Sequence, residues 1–170
     1  MRYDIAEKIL IEKCRDVLLE HLLQISVSES VILEDLPKET VSLKRSDYPI
    51  QVTDAAGQSM MVLLELKSAW ETDSILQILD YRIRHKLKHR MPIMSCIVLL
   101  TPSASATDCY QDEEVHFQYR LVRIYEMDAR EVMGNNLTCL MPFVPLMRHG
   151  PELIVQAENR INDSDTSRKC

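Results

Sequence analysis

The stretch "DYPIQVTDAAGQSMMVLLELK" (residues 47–67) decides how the rest of the chain is read. "DYPIQV" and "MMVLLELK" are short runs rich in β-formers, and the small residues of "TDAAGQ" between them form turns readily. Together they predict a β-hairpin. A pivot near Ala56 sets Val52 opposite Met60, Ile50 opposite Val62 and Tyr48 opposite Leu64, which makes one face apolar and core-facing. The same register sets Asp47 across from Glu65, with Lys67 on the same face as Glu65. Facing residues have Cβ atoms about 4.5–5.5 Å apart, so two carboxylates there repel unless a cation lies between them. A divalent ion suits such a pair, since Mg²⁺ takes carboxylate, water and phosphate oxygens. A lysine beside it can orient a water or stabilise charge on a phosphate. Taken alone, Glu65 and Lys67 are explained better by a solvated strand face, Asp47 at the facing register brings the two readings level, and a bulge in the hairpin would spoil that register.

Outward from the hairpin, "ETDSILQILDYRIRHKLKHR" (residues 71–90) predicts a long helix, with Thr72, Asp73 or Ser74 as its cap. Ile75, Leu79, Ile83 and Leu87 recur every four residues and are read as one face. Gln77 and Tyr81 share another face beside the sheet. Arg82, Arg84, Lys86, Lys88 and Arg90, with His85 and His89 interleaved, form the most basic stretch of the chain. It is either a solvated helix end, where cations favour the dipole, or a landing strip for a phosphate backbone. "IMSCIVLL" (93–100) is a continuous apolar run, as in a strand covered on both faces.

Residues 3–25 predict an amphipathic helix, and "ISVSES" (25–30) breaks its pattern. Residues 32–46 read as a polar connection and "PSASATDCYQDEE" (102–114) as a loop. Residues 115–127 hold one or two strands, and short helices are expected near 128–133 and 152–162. The expected architecture is a mixed α/β sheet with helices packed against it. Residues 1–163 are read as one domain and 164–170 as a frayed tail.

Composition narrows the function classes. The chain has 170 residues, 46% hydrophobic and 27% charged, with a net charge of −6. That balance argues against a nucleic-acid coat protein but leaves room for one local basic surface. Three glycines argue against a Gly-rich phosphate loop. Five cysteines with no C-x-x-C pair fit neither a disulfide framework nor a zinc site, so reduced thiols in a cytoplasmic protein are expected. The N-terminus does not read as a signal peptide, and no run approaches the ~20 residues of a membrane helix. Asp54 is assigned to the turn, Trp70 to packing and Asp80 to the surface.

An Asp, then Glu-x-Lys on the next strand, then a helix with Gln-x-x-x-Tyr, resembles the PD-(D/E)XK nuclease superfamily, with Ser46 where its motif has proline. Longer segments are similar to the Rpn family of recombination-promoting nucleases, also labelled transposase-like: "KRSDYPIQV" (44–52), "LLELKS" (63–68), "ILDYRIRHKLKHRMPIMSCIVLL" (78–100), "FQYRLVRIYEMDAREVM" (117–133) and "LMPFVPLMRHG" (140–150). Many members of that family carry Glu-x-Gln where this chain has Glu65 and Lys67. The resemblance implies a PD-(D/E)XK core, a four-stranded mixed sheet flanked by helices, and Mg²⁺-dependent hydrolysis of DNA linked to recombination or mobile elements. In that scheme Asp47 and Glu65 hold Mg²⁺, with Mn²⁺ or Ca²⁺ as substitutes. Lys67 and Gln77 complete the catalytic set, and Tyr81, Arg82, Arg84, Lys86, Lys88 and Arg90 contact nucleic acid. Glu12, Asp16 or Glu20 would supply a further carboxylate. A homodimer fits that chemistry, because cutting both strands of a duplex takes two sites. The alternative is an inactive nuclease-fold protein that binds nucleic acid or a partner.

Overall fold

The computed structural model describes residues 2–33 and 48–167, and the side chains of 9–33 and 48–163. Asp47 and most of the polar connection lie outside the described residues.

The hairpin forms in the expected register. Strands β2 (Tyr48–Thr53) and β3 (Ser59–Lys67) pair antiparallel, with Tyr48 opposite Leu64, Ile50 opposite Val62 and Val52 opposite Met60. Asp54 closes the turn: its Oδ1 accepts from the amides of Ala56 (2.9 Å) and Gln58 (2.8 Å). Gly57 follows at φ 77°, a conformation that costs a residue without Cβ little.

Strand β4 (Ile93–Leu99) lies parallel to β3, setting Glu65 beside Ile97 and Lys67 beside Leu99. Helix α2 (Thr72–His89) makes the crossover. The sheet has five strands, not the expected four. The additional one is the edge strand β1 (Glu29–Ile32), which pairs antiparallel with β2; the opposite edge is β7 (Arg120–Arg123), parallel to β4. The polar "SES" that broke the helical pattern is suited to an edge, where one side of the strand meets water. Strands β5 (Cys109–Gln111) and β6 (His116–Gln118) form a separate small hairpin, so residues 102–114 are not loop throughout.

Alternation along the strands sorts the core into two layers. On one face Ile50, Val52, Val62, Leu64, Cys96 and Val98 meet helix α1 (Arg2–Val17) and the C-terminal segments. On the other, Met61, Leu63, Ile93 and Ile97 meet Ile75 and Ile78 of α2 together with Phe117 and Tyr119. Burial of β4 on both faces explains its unbroken apolar run and pushes the Cys96 thiol up to about 12.

Helix α1 passes into one wider, π-helical turn, Leu18–Leu22. Leu18, Leu19, Leu22 and Leu23 all reach the core there. Asp128 caps the short helix α3 (Ala129–Gly134), accepting from the Arg130 amide at 2.9 Å. A 3-10 segment, Thr138–Leu146, then packs against α1 and against helix α4 (Ile154–Ser167). Helix α4 runs on into the stretch read as a frayed tail.

Two further expectations are corrected. Cys14 on α1 and Cys139 in the 3-10 segment form a disulfide, with Cα atoms 5.4 Å apart. Their 125-residue separation hid the pair from any reading of cysteine spacing. The N-cap of α2 is Glu71, with no side-chain capping bond. Among the described residues no helix is long and apolar enough to cross a membrane.

Candidate functional site

Glu65 is the seventh residue of β3 and the last of five consecutive buried positions, Met61–Glu65, and the backbone dictates its place. Strand β3 is central, so both its edges are paired and α2 covers the face that carries Met61, Leu63 and Glu65. The Glu65 side chain has 0% exposure. A carboxylate withdrawn from water this far requires a charge partner. Lys67, two residues on and on the same face, supplies one: its Nζ forms an ion pair with Glu65 Oε1. Lys67 stays partly open to solvent, so the pair spans from core to surface at the carboxyl end of β3. The Lys67 carbonyl accepts from the Leu100 amide at 2.9 Å, and the Thr101 hydroxyl donates to the Ser68 carbonyl, so the segment leaving the strand is held in place.

Position 47 precedes the first residue of β2. The observed register ends at Tyr48 opposite Leu64, and Asp47, expected to face Glu65, lies outside the described residues. Among the described residues no group of three His, Cys, Asp or Glu side chains is arranged to hold a metal. Glu65 supplies a hard oxygen donor of the kind Mg²⁺ takes.

The structure does not bring the first-helix carboxylates to this place. Glu12, Asp16 and Glu20 are exposed, and α1 packs on the sheet face opposite to Glu65. Asp16 instead accepts from the Ser30 hydroxyl, linking α1 to the edge strand.

Gln77 and Tyr81 both sit half-buried on α2, flanking its sheet-facing side. Tyr81 begins a ladder of rings down that helix: its centroid lies 5.6 Å from His85, and His85 lies 5.6 Å from His89. His85 has 0% exposure, so it belongs to the packed layer rather than to a solvated basic strip.

The cations of α2 divide differently from the sequence expectation. Arg82 donates through Nη1 to the Ile93 carbonyl, Arg84 pairs with Asp80 (2.9 Å), and Lys86 Nζ donates to the Met91 carbonyl (2.9 Å). Lys88 and Arg90 are exposed and make no side-chain bond among the described residues. Ile93 opens β4, whereas Ile97 is the neighbour of Glu65. At about 3.3 Å per residue, Arg82 is therefore anchored roughly 13 Å along the strand from the carboxylate. The basic half of α2 and the Glu65–Lys67 pair occupy opposite ends of the sheet.

The four-residue stripe also ends up elsewhere than expected. Ile75 is buried, but Ile83 and Leu87 are exposed. A four-residue step overshoots one turn by about 40° at 3.6 residues per turn, so three such steps carry the stripe ~120° away from the sheet. The buried line follows mixed steps through Ser74, Ile78 and His85 instead. Comparison with family models, with curated proteins and with solved structures returns no match for this chain.

Proposed function

We propose that the chain is a divalent-metal-dependent nuclease acting on DNA, of the kind its resemblance to the Rpn family and the PD-(D/E)XK superfamily implies. The observation that carries this reading is a fully buried Glu65 with Lys67 on it, at the carboxyl end of a central strand. Asp47 and Glu65 are assigned to hold Mg²⁺ or Mn²⁺. When bound, the ion supplies a more acidic water and neutralises charge on the phosphate. Glu65, desolvated and fixed by the sheet, is a preorganised donor that loses little freedom on binding. Lys67 is the group with access both to Glu65 and to solvent, so it orients the attacking water and faces the phosphate. Gln77 positions Lys67. Tyr81, Arg82, Arg84, Lys86, Lys88 and Arg90 are assigned to the nucleic-acid backbone. A duplex laid along α2 covers the ~13 Å between the two ends of the sheet in about four base pairs.

The test uses full-length protein, supercoiled and linear DNA, and Mg²⁺ or Mn²⁺. Cleavage that is lost in Lys67→Met, while a metal-induced rise in Tm persists, supports the assignment. Absence of cleavage and of any metal-dependent Tm rise in the wild type overturns it.

A second reading, an inactive nuclease-fold protein that binds nucleic acid or a partner, is favoured by the closed Glu65–Lys67 pair and by the engagement of Arg82, Arg84 and Lys86 in internal bonds. DNA binding without cleavage, unchanged in Lys67→Met, would select it.

A further inference from the structure

We propose that the solvent face of α2 is a self-association surface on which a second copy of this chain packs its own α2 antiparallel. The face carries Leu76, Ile83 and Leu87 at 43%, 51% and 73% exposure, on the side of the helix away from the sheet. Each would leave water on association, and apolar groups of this size in one line mark an interaction surface. Spacing is the second observation. Asp73, Leu76, Asp80, Ile83, Leu87 and Arg90 follow one another at alternating intervals of three and four, the repeat of a helix–helix seam.

Charge selects the occupant. The helix and its cap are acidic at the amino end, with Glu71 and Asp73, and basic at the carboxyl end, with Lys86, Lys88 and Arg90. A parallel neighbour would set like charge against like. A twofold axis crossing the helix between Tyr81 and Arg82 does the reverse. It sets Asp73 against Arg90 of the second copy, Leu76 against its Leu87, and Ile83 against its Asp80. The opposed macrodipoles also favour this arrangement. The Asp80–Arg84 ion pair crosses the middle of the seam, where a polar element fixes register at some loss of affinity. Eighteen residues of helix give a seam about 27 Å long, a small interface, so the dimer constant is micromolar rather than nanomolar. The pairing takes Arg90 out of the set assigned to the nucleic-acid backbone, while Arg82 and Lys86 on one flank of α2 and Lys88 on the other lie beside the seam rather than in it.

The test is sedimentation velocity on the full chain from low-micromolar to several-hundred-micromolar concentration, without added metal or DNA. The wild type is expected to move from monomer to dimer across that range. Leu87→Gln alters a surface side chain and leaves the core intact; it is expected to weaken the dimer by about tenfold or more with an unchanged Tm. Asp73→Lys and Arg90→Glu each weaken it, and the double swap restores it to within about threefold of wild type. A monomer at every concentration overturns the proposal, as does a dimer insensitive to Leu87→Gln. Failure of the double swap to restore association overturns the antiparallel geometry. A chain that stays monomeric but sediments with anionic lipid vesicles identifies the face as a lipid surface and overturns it too.

Discussion

Lys67 lays its ammonium group on the carboxylate of Glu65, two positions earlier on the same face of β3. One partner is fully buried and the other reaches solvent, so the two are not equivalent. Replacing Lys67 by Met leaves a desolvated carboxylate without its cation and is expected to lower stability by roughly 3 kcal/mol. Replacing both, as Glu65→Gln with Lys67→Met, removes the stranded charge and is expected to recover much of that loss. Urea unfolding of the two single variants and the double variant gives the coupling.

Reduction of the Cys14–Cys139 bond is the next expectation. The bond closes a loop spanning a 125-residue separation, so opening it frees the unfolded chain considerably. Urea midpoints with and without a thiol-free reductant should differ by the equivalent of about 2–4 kcal/mol, and Cys14→Ser should abolish the difference. In the native protein Cys96 should resist alkylation at pH 8 while Cys109 reacts, because burial has raised the Cys96 thiol to about 12. Peptide mass mapping after brief iodoacetamide treatment distinguishes them.

Gly150 fills a place no other residue fits. A Cβ there would overlap the Val144 carbonyl oxygen and crowd that of Met147. These are backbone atoms that cannot swing aside, so Gly150→Ala must move the chain itself. A loss of about 2 kcal/mol or more is expected, read as a fall in Tm with little change in the denaturant slope.

Asp112 governs the β5–β6 hairpin as pH falls. Its carboxylate accepts from the amides of Glu114 (2.9 Å) and Val115 (2.7 Å) and from the Tyr110 hydroxyl. The amide bonds, first among these causes, hold it below its ordinary value of 3.8. A depressed carboxylate contributes its stabilisation above the unfolded value and loses it as pH drops through the lower folded one. The Glu114 and Val115 amides should therefore gain exchange and shift only below about pH 4. In Asp112→Asn that acid-dependent step should vanish.

Much of the central sheet was legible because strand alternation with period two leaves few choices. The Tyr48–Leu64, Ile50–Val62 and Val52–Met60 pairings follow from keeping apolar residues on one face. The β4 strand followed from its unbroken apolar run. Strand β1 did not, since four residues beginning "ES" carry no periodic signal until β2 offers them a backbone edge. The rotation of α2 was misread because a four-residue stripe winds round the helix, as Leu87 at 73% exposure records. Glu65 and Lys67 were legible as a pair, while the distance from them to the Arg82 end of α2 depends on how the crossover lies on β4. The Cys14–Cys139 link is purely tertiary: nothing local to either cysteine distinguishes it from Cys96 or Cys109.

The packing of α1 against Thr138–Leu146 bears on how this chain comes to be folded at all. Ile11 of α1 and Leu18 and Leu19 of the turn that follows it share a core with Leu140, Met141 and Val144, which are synthesised more than 100 residues later. At roughly 5–20 residues per second, α1 must hold its apolar side for on the order of 6–25 s before those partners emerge. The nascent protein therefore passes through a long interval with an uncovered sheet face, during which a chaperone able to shield an amphipathic helix would decide its yield.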